Sequence, residues 1–371
     1  MTDSDFECAS SARTAADALR HHYANVVVPM WRNGGFNPDL RLPYDIYDVM
    51  PRAEPPRRYR AMACARQLFV FARENDKAHA DMLFAALLER FGDTQHGGFF
   101  YSVDARGAPL ETDKDLYTHA FVIFACAAYL ERFRVAEAGR VIGATLEVIR
   151  SRFPADPENG LSCAAVSPDF TTARLGARQN PLMHLTEAYL AARHATGETR
   201  FDTALHALLP PIADTFLARD SNCILELPYR APDNWIEPGH QFEWFYLSRH
   251  DEHPAFAHAG LDTRLRDAFR FAQRYGVDAR TGGVAAALER DGTMRDDTQR
   301  IWAQTEYLRA LACHPDPTQR AGLAEQIRRF GARHLHAAGW HECLAVTGAL
   351  TRADMPSTTA YHLASAYAAL P

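Results

Sequence analysis

The chain has 371 residues, of which 47% are hydrophobic and 23% charged, the balance of a water-soluble globule with material for a large core. A formal net charge of -6 and a pI near 6.3 argue against a nucleic-acid groove or an anionic membrane surface as partner. No apolar run reaches membrane-spanning length, and MTDSDFECAS at the N-terminus lacks the basic and apolar regions of a signal peptide. The seven cysteines are scattered with no CxxC pair, so reduced thiols and a cytoplasmic location are expected.

In chain order, apolar residues follow helical spacing near 11–30, 57–75, 76–91, 116–133, 135–152, 181–196, 199–218, 239–250, 261–275, 298–313, 316–335 and 356–370. Turn segments interrupt them: NGGF at 33–36, HGGFF at 96–100, NGLS at 159–162, SNCILEL at 221–227, TGGV at 281–284 and AGWHE at 338–342. Gly35, Gly98, Gly160, Cys223, Gly283 and Gly339 mark a repeat of about sixty residues. Alternating stretches such as GGFFYSVDARGAP predict small β-hairpins rather than members of a large sheet.

Segments such as HAFVIFACAAYL (119–130) and YHLASAYAAL (361–370) are apolar nearly all round, as helices buried on both sides should be. ALHALLPPIADTFLARD (204–220) and EQIRRFGARHL (325–335) carry charge on one side, as outer helices would. Neither kind covers its apolar face alone, so six outer–inner pairs must stack. The expected architecture is all-α: a single (α/α)6 barrel over 1–371, one domain, with short β-hairpin loops at the mouth of a central funnel.

Each turn segment delivers the chain to the start of an inner helix, so those first turns should face the funnel. NPLMHLTEAYL places Asn180 at the N-cap, Pro181 next, and His184 and Glu187 three residues apart on one face. PGHQFEW repeats that spacing with His240 and Glu243. RIWAQTEYLRA offers Trp302 and Glu306, and MPSTTAYHLASAY offers His362 after a Ser357 or Thr358 cap. KDLYTHAF contributes Tyr117 and His119, and RQLFVF contributes Arg66. Taken singly each has a structural explanation; gathered in one concavity they make a reaction chamber.

Histidine exchanges protons near neutrality, so two differently poised imidazoles could abstract and return a proton next to a carbonyl. A helix N-terminus lowers the pKa of a nearby imidazole, while Glu187 and Glu243 would pull the other way. Aromatic faces suit a sugar ring, and Arg66 could stabilise an enediol oxyanion. There is no HExxH, Cys/His ligand spacing, EF-hand loop, GxxxxGK[ST] or GxSxG. A two-carboxylate glycosidase using Glu187, Glu243 and Glu306, or a non-catalytic sugar-binding toroid, stays open on the residues alone.

KDLYTHAF, NPLMHLTEA, PGHQFEW, the Trp302–Glu306 helix and STTAYH together resemble the N-acylglucosamine 2-epimerase superfamily, with weaker agreement at the GGFF loop and around Arg66. That superfamily also holds mannose isomerases, cellobiose epimerases and a sulfoquinovose-related aldose–ketose isomerase, and its fold is an (α/α)6 barrel. The resemblance implies a reaction through a cis-enediol without metal or cofactor. His240 and His362 would be acid and base, and His184 would assist. Arg66 would steady the enediolate and Glu243 orient its histidine; His119, Tyr117, Trp302 and Glu306 would contact substrate. MPSTTAYH and KDLYTHAFVIFACA look closest to the mannose-isomerase-like branch, which converts D-mannose to D-fructose. A 2-epimerase of the N-acylglucosamine, mannose or cellobiose type is the alternative. The partner expected is a free monosaccharide, with no nucleic acid and no membrane; a homodimer is left open.

Overall fold

A computed structural model describes residues 3–47 and 56–371, the first seven of them by backbone alone. Among the described residues, twelve helices have ten or more residues, and they alternate in character. They are α1 (Asp3–His22, continued by a π-helical turn to Arg32), α2 (Ala61–Arg73), α3 (Lys77–Ala86), α4 (Leu116–Phe133), α5 (Ala136–Arg152) and α6 (Gln179–Thr196). There follow α7 (Arg200–Phe216), α8 (Pro238–His250), α9 (Leu261–Gly276), α10 (Ile301–Ala312), α11 (Leu323–His334) and α12 (Thr359–Ala369).

The even-numbered helices are buried nearly all round; in α2 every residue from Ala61 to Ala72 is enclosed. The odd-numbered ones bury one stripe: α9 hides Leu261, Leu265, Ala268, Phe269 and Ala272 and shows charge elsewhere. Each fully enclosed Leu or Phe contributes about 1.5–3 kcal/mol relative to exposure, which is what drives the pairing. α8 departs from this logic. Its sequence is half polar, yet Pro238–Ser248 is buried throughout, so His240, Gln241 and Glu243 must find partners inside.

Two boundaries differ from expectation. α6 starts at Gln179 with Arg178 at the N-cap, so Asn180 and Pro181 lie in the first turn; an imino nitrogen is tolerated there because the first-turn donors have no intrahelical acceptor. Thr358 caps α12 by position without a side-chain hydrogen bond.

Contacts divide the chain into two compact units, Trp31–Phe216 and Met1–Met30 with Leu217–Pro371. In the first of these, α2, α4 and α6 pack in succession, with α3 against α2, α5 against α4 and α7 against α6. In the other, α8, α10 and α12 pack in succession, with α9 on α8, α11 on α10 and α1 on α11.

The β structure is small and repetitive. The strand leading into α2 (Arg58–Arg60) pairs with Ser102–Asp104, which turns back as Pro109–Glu111. The strand leading into α4 (Lys114–Asp115) pairs likewise with Ala165–Val166 and then Ala173–Leu175. The strand leading into α10 (Gln299–Arg300) pairs with Cys343–Leu344 and then Leu350–Arg352. Each hairpin thus anchors the entry of the inner helix before it, and no sheet among the described residues exceeds three strands.

The repeat is visible in a single bridge. Past successive outer helices, Gly92 pairs with Phe99, Ala155 with Ser162, Leu217 with Ile224 and Val277 with Val284. Two residues before each bridge closes, the chain is left-handed, at Gly97 (φ 79°), Gly160 (φ 74°), Asn222 (φ 57°) and Gly282 (φ 71°). Asn222 explains why one turn lacks glycine, since asparagine tolerates that conformation. Cys64, Cys126, Cys163, Cys223, Cys313 and Cys343 are free thiols; Cys8 lies outside the residues with described side chains. No helix among the described residues is long and apolar enough to cross a membrane.

Candidate active site

The helix opened by PGHQFEW begins at Pro238, whose fixed φ suits the first helical position. Gly239 follows because a Cβ there would lie 2.8 Å from both the Trp302 ring and the Ala303 side chain. The absent side chain lets α10 approach α8, and this brings His240 and Trp302 into ring contact at a centroid distance of 4.9 Å. His362, at the start of α12, meets the same indole at 5.7 Å. Two histidines 122 positions apart in the numbering therefore share one tryptophan, all within one compact unit.

Both imidazoles are held by carboxylates. His240 Nδ1 lies 2.7 Å from Glu226 Oε1 and 3.7 Å from Glu237 Oε2. His362 Nδ1 lies 3.0 Å from Glu306 Oε1, and the other oxygen of Glu306 accepts from Arg309 at 2.8 Å. An ionised carboxylate only accepts, so each Nδ1 is the protonated nitrogen and proton exchange with a ligand falls to Nε2. The electrostatics of the two differ. Burial alone would strip the proton from His240, but the negative charges of Glu226, Glu237 and Glu243 outweigh it and raise its pKa to about 9. At His362 the carboxylate's charge is shared with the Arg309 guanidinium, itself lying 4.0 Å over the Tyr246 ring.

The unit Trp31–Phe216 contains a second array. Arg66, on α2, donates from Nη2 to the Tyr117 hydroxyl at 2.7 Å and lies 4.1 Å over the Phe121 ring. Tyr117 and Phe121, on α4, both contact the His184 ring, at 4.9 and 4.8 Å. His184 donates from Nδ1 to Glu187 at 3.1 Å, the partner that three-residue spacing on α6 predicts. Arg66, His184 and Glu187 are each about 5% exposed or less, which strengthens these charged hydrogen bonds.

Two sequence expectations need correction. His119 has no exposed surface and does not line a pocket. Its Nδ1 donates to the Asp115 carbonyl at 2.7 Å, and its Nε2 accepts the Phe99 N–H at 3.1 Å. Gln241 and Gln304 occupy the corresponding position of their helices and clamp Ile224 and Val284, the residues that close the corresponding bridges. His119 is thus the repeat's structural clamp in imidazole form. Burial pushes its pKa down to about 4, so it is neutral, and a Cβ on Gly98 would fall 2.5 Å from Nε2. Glu306 also has no exposed surface, and its carboxylate bonds His362 rather than standing open to a ligand. Glu243, equally enclosed, bears on His240 through its charge. Tyr117 and Trp302 are half-buried.

Glu226 and Glu237 were not singled out by spacing. The one signal for Glu226 is an acid in the apolar stretch CILEL; for Glu237 it is an acid directly before the helix-opening proline. Glu226, Glu237 and His240 offer ligand-type atoms within 4.8 Å of one another, a donor set a divalent cation could use. Within that set, His240 Nδ1 is hydrogen-bonded to Glu226.

The comparisons agree with this architecture. The chain is 27% identical over 380 residues to a mannose-6-phosphate isomerase of Rhizobium meliloti, covering 91% of this chain and 92% of that one. It is 31% identical over 217 residues to a D-mannose isomerase of Pseudomonas cannabina, covering 52% of this chain and 51% of that one. A solved cellobiose 2-epimerase from Bacillus thermoamylovorans superposes with a TM-score of 0.85 at 17% identity, over 96% of this chain and 98% of that one. A solved D-mannose isomerase gives 0.83 at 22% identity, over 95% and 97%. At such identities the two structures establish the fold. The model of the N-acylglucosamine 2-epimerase (GlcNAc 2-epimerase) family matches residues 43–366, and the chain belongs to that family.

Proposed function

We propose that the protein is an aldose–ketose isomerase acting on a free monosaccharide of the D-mannose/D-fructose type, without a metal, through a cis-enediol. As a member of its family it is a sugar isomerase or epimerase. The observation that carries the finer reading is the pair of carboxylate-held imidazoles on one indole, His240 at 4.9 Å and His362 at 5.7 Å from Trp302. An indole is a platform for the C–H face of a pyranose or open-chain sugar, and two histidines in contact with it are suited to act on neighbouring carbons.

In the proposed reaction, neutral His362 takes the C2 proton through Nε2. The C2 electron pair forms the C1=C2 bond, the carbonyl π pair moves to O1, and O1 takes a proton from the His240 imidazolium. In the second half, His240 takes the O2 proton, the C2=O2 bond forms, and the enediol π pair takes the proton from His362 at C1. Protons balance, and both histidines return to their starting states.

The names of the relatives favour both outcomes, D-mannose isomerase and cellobiose 2-epimerase. An epimerase would return the proton to C2 from the opposite face. Incubation with D-mannose, D-glucose, N-acetylglucosamine and cellobiose in deuterated water separates them by NMR. Deuterium at C1 of a ketose supports the isomerase, deuterium at C2 of an inverted aldose supports the epimerase, and no exchange into any sugar removes both.

A further inference from the structure

We propose that Glu226, supported by Glu237, is a positioning residue that fixes the orientation of the His240 ring and makes His240 the proton donor of its pair with His362. The donor role rests on the isomerase reading; the state of the ring does not.

Glu226 is fixed from both sides. Two residues before it, Gln241 holds both the N–H and the C=O of Ile224 at 2.8 Å. One residue after it, Asn234 accepts the Leu227 N–H at 2.9 Å and donates to the carbonyls of Leu227 and Pro228 at 2.7 and 3.0 Å. The Glu226 N–H itself donates to the Trp235 carbonyl at 3.2 Å. The residue is 6% exposed, and its carboxylate reaches Nδ1 at 2.7 Å. A buried loop carboxylate under this many restraints is aimed before any ligand arrives. Glu237 is tethered as well: one oxygen accepts from the Trp235 indole at 3.3 Å, and the other lies 3.7 Å from His240 Nδ1.

The charges around His240 come from several elements. Glu226 faces it from the loop and Glu237 from the N-cap. Glu243 acts from its own helix, and Trp302 of α10 presents a neutral ring. Arg300, at the entry of α10, offsets part of the Glu237 charge. The sum is negative, so the buried ring keeps its second proton up to about pH 9. The carboxylate that holds His362 is bonded to Arg309 as well. Two histidines with similar exposure thus stand in different charge surroundings.

The test compares Glu226→Gln, Glu226→Asp and Glu237→Gln with the wild-type protein. Imidazole resonances are followed by NMR from pH 5 to 10 without substrate, with His240→Gln assigning the signal. In the wild type the His240 ring should titrate near 9. In Glu226→Gln it should move toward the ordinary 6.5, less so in Glu237→Gln, and Glu226→Asp should restore part of the shift. With D-mannose, the alkaline limb of kcat should move in step, and kcat at neutral pH should fall about ten- to a hundredfold with KM little changed. An unchanged ring titration in a folded Glu226→Gln protein overturns the proposal, as does an activity loss with the alkaline limb in place. If no sugar is turned over by the wild type, the isomerase reading fails, while the substrate-free titration still decides what Glu226 does to the ring.

Discussion

Glu306 lies 3.0 Å from His362 Nδ1 although 56 residues separate them, and the same carboxylate binds Arg309 one turn along α10. The carboxylate therefore does two jobs. It orients the imidazole and neutralises a buried guanidinium. Glu306→Gln should lower kcat by about ten- to a hundredfold with little change in KM, because the amide can still accept from Nδ1 but carries no charge. Both variants should destabilise the fold by about 3–5 kcal/mol, Glu306→Ala the more, since either removes the charge that offsets the buried Arg309 guanidinium. Steady-state kinetics and denaturant titration of the two variants check this; wild-type stability in both would separate Arg309 from the carboxylate.

His240→Ala and His362→Ala should each reduce turnover by about two or more orders of magnitude, the usual range for a lost acid or base. Near-normal rates in either variant would remove that residue from the chemistry. Exhaustive chelation should leave activity intact; dependence on an added divalent ion would overturn the metal-free mechanism.

His119→Gln should be nearly silent in both activity and stability, because glutamine performs the same loop clamp at Gln241 and Gln304. His119→Ala should cost about 1–3 kcal/mol, the penalty for leaving the Phe99 N–H and the Asp115 carbonyl without their partner. Thermal unfolding of the two variants measures the difference. A large loss of kcat in a stable His119→Gln protein would return His119 to the site.

Stability should fall as pH drops from about 6.5 to about 4. His119 and His334 are buried as neutral rings, with pKa values lowered to about 4 by desolvation. The unfolded chain binds their protons first, so their contribution is complete above 6.5 and is lost on acidification through 4. His240 has the opposite sign. Its raised pKa adds stability that is complete below 6.5 and lost as pH rises through about 9. Calorimetry across pH 4–10 should show both slopes, the acid one shallower in His119→Gln and the alkaline one shallower in Glu226→Gln.

Gly239→Ala should impair catalysis more than folding. A methyl group 2.8 Å from the Trp302 ring would shift the indole shared by the two histidines. About a tenfold loss of kcat is expected, with a stability change of about 1–3 kcal/mol. Unchanged kinetics would show that the indole tolerates displacement.

Much of the frame was legible in the amino-acid order because its causes are local. Helical periodicity, the turn residues and the sixty-residue repeat each depend on neighbours within a few positions. They identify twelve helices and the inner-helix starts that carry His184, His240 and His362. The His184–Glu187 bond was readable for the same reason, since three-residue spacing on one helix sets it. The partners of the other two histidines were not. Glu226 reaches His240 from a preceding loop, and Glu306 reaches His362 from another helix, so only packing between elements decides which carboxylate arrives. The same distinction governs His119: a histidine one turn into an inner helix has the look of a site residue in the sequence. Tertiary structure turns it onto the main chain, because the bridge residue Phe99 presents an N–H that a buried ring must satisfy.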